Sequence, residues 1–247
     1  MSKILAACLL ACALAIAHAS PVLLAAASNT EPALNDIVRN FTAKTGVTVK
    51  VTYGPAVALA SQIANGAAFE IYISSSDAYT RRLKLQGRCL DEPRIFGLGT
   101  LVLWSLDADF QESGWLEWLR QGKGKIALPD PESSIYGQTV LYSLNHYQLA
   151  ERLRPRFVRA PDVAHAAALV ASGKVAGAFV SKSQVLDRSR LGKGHWVEIP
   201  RDSYPPIRQT VALLTPAAGH PEARQLFDYL FSPESEKIWR AYGYAKP

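Results

Sequence analysis

The feature that most constrains this chain is a unit that occurs three times between Val22 and Gly87: an apolar strand pattern, a turn of small or capping residues, then an amphipathic helix. In the first, residues 22–26 read as strand, Ser28, Asn29 and Thr30 lead to Pro32, and Leu34, Ile37, Val38 and Phe41 recur at helical spacing. In the second, Gly46 ends that helix, residues 47–51 alternate apolar and polar, and Tyr53-Gly54-Pro55-Ala56 opens a helix carrying Leu59 and Ile63. In the third, residues 69–73 are the strand, Ser74-Ser75-Ser76-Asp77 the helix entry, and 79–85 the helix. Alternation at these lengths predicts an α/β fold with a parallel sheet covered by helices. The right-handed crossover puts every strand-to-helix turn on one edge. Helix N-termini converge there with unpaired N–H groups and a partial positive charge, so that edge suits an anion.

A second set follows. Residues 101–104 and 125–128 read as strands with a short helix over 115–120 between them, and Pro129-Asp130-Pro131-Glu132-Ser133-Ser134 leads into a helix over 136–144. Asp162 caps an Ala-rich helix over 163–172, and residues 175–180 form the strand after it. Further strands are expected over 196–199 and 210–214, then helices over 221–231 and up to Tyr242.

The start of the chain stands apart from this pattern. Lys3, an apolar run over 4–17 and Ala17-His18-Ala19 form a cleavable export signal, which places the mature protein in the periplasm. The run is too short to span a bilayer; Cys12 after Leu9-Leu10-Ala11 also leaves a lipid-anchored variant open. Without residues 1–19, about 228 of the 247 residues remain, which suits two lobes of about 100 residues each. Two of the three cysteines fall in the signal, so Cys89 is alone and reads as a packed residue with no disulfide partner.

Several functional classes are excluded by what is missing. The net charge of +6 permits an anionic partner, but Lys and Arg are spread along the chain with no basic run, zinc-finger spacing or RNA-binding signature, which argues against nucleic acid. His146, His165, His195 and His220 are scattered without metal-ligand spacing, and there is no nucleophile elbow, so neither an enzyme nor a metal or cofactor site is expected. Helix capping accounts for the serines at 74–76. Arg39, Arg81 and Arg82 fall on solvated helix faces.

Certain segments are more specific. Ala25-Ala26-Ala27-Ser28, Ala60-Ser61-Gln62-Ile63-Ala64-Asn65-Gly66-Ala67, Ile71-Tyr72-Ile73-Ser74, Asp130-Pro131-Glu132 and the ending from Phe227 to Glu234 with Tyr242-Gly243-Tyr244 occur in one order over residues 22–244. In this the chain resembles the molybdate-binding proteins of ABC importers, a family that carries oxyanions in the periplasm. The resemblance implies a two-lobe (type II) binding-protein fold with mixed sheets, helices on both faces and the ligand in a cleft that closes by hinge motion. It divides the chain into lobe 1 (20–98 and 205–247) and lobe 2 (99–204), with crossings near 97–101 and 201–207. It also implies a monomer that passes a small oxyanion to a membrane permease; a periplasmic sensor or scavenger for another small anion or carboxylated ligand is the alternative.

The family's first anion-binding serine falls on Ser28, beside Asn29, where a hydroxyl can serve either the ligand or a helix cap. The serine expected in the second turn is Ala56, after Tyr53 and Gly54, and the tyrosine expected after the second-lobe strand is Val180. A backbone-donating position of the Asp-Pro turn falls on Tyr136 followed by Gly137, and another on Val163. A hydrogen bond to a charged group is worth about 1.5–3 kcal/mol, so two lost hydroxyls call for replacements. Tyr53, Tyr136, Ser134 and Ser181 are the candidates.

Overall fold

The computed structural model describes residues 20–122, 124–190 and 192–247; the expected leader, 1–19, lies outside them. The chain begins with β1 (Val22–Ala27), a 3-10 turn (Ser28–Thr30) and α1 (Glu31–Thr45), followed by β2 (Val49–Gly54), α2 (Ala56–Ala64), β3 (Ile71–Ser74), α3 (Asp77–Leu85) and β4 (Arg94–Gly99). Ala33, Leu34, Ile37 and Phe41 form one buried stripe of α1, and Gly46, at φ +73°, closes the helix in the left-handed conformation that a side chain would disfavour. Ser76 caps α3 by accepting from the Ala78 amide, which is how the serine-rich turn is used.

After Thr100 the chain enters a second sheet with β5 (Leu101–Ser105), α4 (Trp115–Gln121), β6 (Ile126–Pro129), α5 (Ile135–His146), α6 (Ala150–Leu153), β7 (Phe157–Ala160), α7 (Val163–Ala171), β8 (Gly177–Ser181), α8 (Lys182–Val185) and β9 (His195–Glu198). It returns through Tyr204–Pro206 to β10 (Ile207–Leu213) and ends with α9 (Pro221–Tyr229) and α10 (Pro233–Ala241). The sheets run β2-β1-β3-β10-β4 and β7-β6-β8-β5-β9.

Strand and helix periodicity alone predicts parallel sheets, and most of each sheet obeys: β1 is parallel to β2 and β3, and β6 to β7 and β8. The exceptions are strands at the crossings. β10 runs antiparallel to β3 and β4, and β5 antiparallel to β8 and β9, because a strand arriving directly from the other sheet enters from the opposite end. The sheets are therefore mixed. Each has its own core: Leu24, Leu34, Ile37, Phe41, Ile71, Val211 and Phe227 in the first, Trp104, Leu119, Val140, Phe179 and Val180 in the second. At about 1.5–3 kcal/mol per fully buried large side chain, these cores hold the lobes without a disulfide. Cys89 is buried, and burial pushes its thiol pKa up to about 11, so it is a packed, inert group. None of the described helices is long and apolar enough to cross a membrane.

Candidate functional site

The C-terminal ends of β1, β2 and β3 point at the C-terminal ends of β6 and β7 across the gap between the sheets. A small cavity of about 10 Å³ lies there. The first lobe lines it with Ala27, Ser28 and Asn29 after β1, Gly54-Pro55-Ala56 between β2 and α2, and Ser75 after β3. The second lines it with Ser134 and Tyr136 at the start of α5, and Asp162 and Val163 at the start of α7. Larger hollows exist: a groove of about 400 Å³ between α2 and α3 is formed by one lobe alone, and one of about 180 Å³ between the starts of α3 and α5 is lined by Arg208, whereas the small cavity gathers the ends of β1, β2 and β3 and the starts of α2, α5 and α7.

The first-turn amides of α2, α5 and α7 have no partner within their own helices and their dipoles place partial positive charge at this point. None of the described residues lining the cavity is cationic. Ser28 is not a helix cap: its Oγ crosses the gap and donates to Asp162 Oδ2 at 2.6 Å. Asp162 Oδ1 accepts from the His165 amide at 2.9 Å, capping α7 as the sequence predicted, and lies 2.8 Å from His165 Nδ1. Ser183 Oγ donates to the Asn29 carbonyl at 2.5 Å and Gln184 Nε2 to the Ser28 carbonyl at 3.2 Å, so the lobes are held shut around the first turn.

The polar groups behind the cavity are mostly committed. Asn29 Nδ2 donates to Gln209 Oε1 at 2.9 Å and to Tyr244 Oη at 3.1 Å, and Tyr244 Oη donates to the Asn29 carbonyl at 2.7 Å. Tyr136 differs. It is 2 % exposed, its Oη has no hydrogen-bond partner among the described residues, and burial holds its pKa well above that of an ordinary tyrosine. The hydroxyl rests against the hinge: a Cβ on Gly99 would lie 2.4 Å from Tyr136 Oη and 2.7 Å from Gln209 Nε2.

Of the eleven positions singled out in the sequence, Ser28, Asn29, Gly54, Ala56, Ser134, Tyr136 and Val163 meet at this cavity. Tyr53, Gly137, Val180 and Ser181 do not line it. Tyr53 Oη donates to Asn35 Oδ1 at 2.7 Å, towards α1. Gly137 lets α5 approach β6 so closely that a Cβ would come within 2.0 Å of the Pro129 carbonyl oxygen. Val180 belongs to the second lobe's core, and Ser181 Oγ pairs with Ser183 Oγ at 2.8 Å. The sequence reading did not place Ser75 or Asp162 at the cavity. Asp162 was legible only as a cap, although its place one residue before Val163 was the available signal.

The family model for bacterial extracellular solute-binding proteins matches residues 22–245. The chain belongs to this family. Within it, the chain is 32% identical over 241 residues to the molybdate-binding protein ModA of Azotobacter vinelandii, covering 97% of this chain and 94% of that one. It is 33% identical over 231 residues to ModA of Rhodobacter capsulatus, covering 92% and 89%. The solved structure of the periplasmic molybdate-binding protein of A. vinelandii superposes with a TM-score of 0.86 at 26% identity, covering 92% of this chain and 99% of that one. The two-lobe fold of the extracellular solute-binding proteins is thus the fold of this chain.

Proposed function

We propose that this chain is a periplasmic binding protein, not an enzyme, that captures a tetrahedral oxyanion, molybdate or tungstate in the first place, and as a monomer delivers it to the permease of an ABC importer. The observation that carries this is the meeting of the Ser28 turn and three helix starts, from both lobes, at one small cavity free of cationic side chains. Donors of this kind bind an oxyanion without leaving a buried positive charge in the empty protein. In this reading Ser28 Oγ, Tyr136 Oη and the amides of Ala56 and Val163 donate to the anion. Tyr136, buried and unpartnered, replaces a hydroxyl lost at Ala56 or Val180. Likeness to the molybdate-binding relatives supports the ligand class.

Calorimetric titration of the purified protein with molybdate, tungstate, sulfate and phosphate tests this. Tight binding of molybdate or tungstate is expected, weakened at least tenfold in Ser28→Ala, one charge-assisted bond being worth about 1.5–3 kcal/mol. No heat with any of the four anions overturns the reading.

A further inference from the structure

A cavity suited to an anion contains a carboxylate. Asp162 is 4% exposed and lines the cavity, with Oδ2 held by the Ser28 hydroxyl and Oδ1 shared between the His165 amide and the His165 ring. A dianion entering beside an ionised Asp162 meets a like charge at close range in a site with little water, which is unfavourable unless that charge is neutralised. The means of neutralisation is adjacent. His165 Nδ1 is 2.8 Å from the same carboxylate, its ring is largely exposed to solvent, and imidazole is the side chain that changes charge near neutral pH.

Resting on the oxyanion reading above, we propose that the anion binds together with one proton: as the oxyanion enters and takes over the Ser28 hydroxyl, the His165–Asp162 pair takes a proton from solvent onto the imidazole. The resulting imidazolium cancels the Asp162 charge, so the net charge added to the cleft is that of the anion plus one proton. Asp162 is thereby a specificity element as well as a cap. It holds the Ser28 hydroxyl in the empty protein and makes affinity depend on pH.

The charged group that acts on Asp162 from the first lobe is Glu31, at the start of α1, and Glu31 is itself acted on by Asp187 and Arg190, which follow α8. The Glu31 carboxyl is raised above its ordinary value, by burial first and then by Asp187 and Asp162, against the lowering effect of Arg190, which makes it the rival acceptor for the proton. Ser28, bonded to Asp162 Oδ2, does not titrate.

The test is titration with molybdate in paired buffers of different ionisation heat, from about pH 6 to about pH 8, on the wild type and on Asp162→Asn, His165→Gln and Glu31→Gln. Because Asn caps a helix as well as Asp, Asp162→Asn removes the charge and keeps the fold. The wild type is expected to take up a proton and to lose about tenfold in affinity across that range. His165→Gln is expected to show no uptake and a Kd fixed near the weaker, high-pH value. Asp162→Asn is expected to show no uptake and a Kd fixed near the tighter, low-pH value. Equal heats in both buffers for the wild type, or uptake that survives in both variants and disappears only in Glu31→Gln, overturns the proposal while leaving molybdate binding intact. Absence of any molybdate heat overturns it together with the oxyanion reading.

Discussion

The two ends of the first lobe's sheet both bury polar groups, and they treat them differently. At the base, where β1 and β3 begin, the Glu70 carboxylate is 7% exposed; one oxygen accepts the Leu23 amide at 2.9 Å and the other lies 2.5 Å from His220 Nδ1, so the acid is enclosed by its own partners. His220 Nε2 in turn faces Glu222 at 3.4 Å. At the cleft end of the same strands, the Tyr136 hydroxyl is buried without a hydrogen-bond partner among the described residues. Buried polar groups are nearly always paired, so the Tyr136 hydroxyl, unpaired where both lobes meet, calls for a functional account, whereas at the base the one unpaired atom of the cluster, His220 Nε2, still has the Glu222 carboxylate at 3.4 Å.

The largest effect is expected at the base. His220→Ala leaves the buried Glu70 carboxyl with one hydrogen-bond partner fewer, and an unsatisfied buried polar group costs about 1–3 kcal/mol. Chemical denaturation is expected to show that loss, while the folded fraction binds molybdate as the wild type does. Equal loss of affinity would mean that the two ends are not separable.

At the hinge side of the cleft, Gly99→Ala is expected to act in the reverse way. The added Cβ would meet Tyr136 Oη at 2.4 Å, and since Gly99 ends a strand of the first lobe and Tyr136 starts a helix of the second, opening the lobes relieves the clash. Overpacking of this kind costs about 1–3 kcal/mol, charged here against the closed state, so molybdate affinity should fall by roughly tenfold or more and small-angle scattering should report a larger radius of gyration. Adding Tyr136→Phe removes the atom struck across the lobes, leaving only the contact with Gln209 Nε2 within the first lobe, and should restore closure.

Tyr136→Phe alone separates packing from recognition at the cleft end. A hydroxyl with no partner in the empty protein contributes little to stability, so the variant should unfold at the same denaturant concentration or a slightly higher one, yet lose about 1.5–3 kcal/mol of oxyanion affinity. Loss of stability with unchanged affinity would place Tyr136 with the packing residues.

Much of this division was legible in the sequence because it follows from periodicity and caps. Strand, turn and helix repeat three times before Gly87, and that order alone puts Ser28, Gly54 and Ser75 on one edge of a sheet. What periodicity does not carry is the edge strands β4 and β7, half-exposed along much of their length, or direction at the crossings, since the antiparallel run of β10 depends on where the chain returns. Nor does it carry contacts between lobes. Ser28 and Asp162 are 134 residues apart, and each has an adequate local reason to exist as a cap residue, so nothing local distinguishes a cap from half of an interlobe bond. Tyr53 shows the opposite failure: a tyrosine in a binding turn whose hydroxyl is claimed by Asn35 on the neighbouring helix.

The smallest expected effect belongs to Glu31, at the start of α1. Burial raises its carboxyl pKa on folding, so the folded chain favours the protonated acid. Its contribution to stability is fully present below the unfolded value, and is lost as pH rises through the higher folded value, leaving a modest penalty at neutral pH. Glu31→Gln should therefore melt slightly higher than the wild type at about pH 7, with the gain vanishing at about pH 4, where the acid is already protonated in both states. A gain that persists at low pH would trace to packing instead of charge, and would remove Glu31 from the groups that set the electrostatics of the cleft.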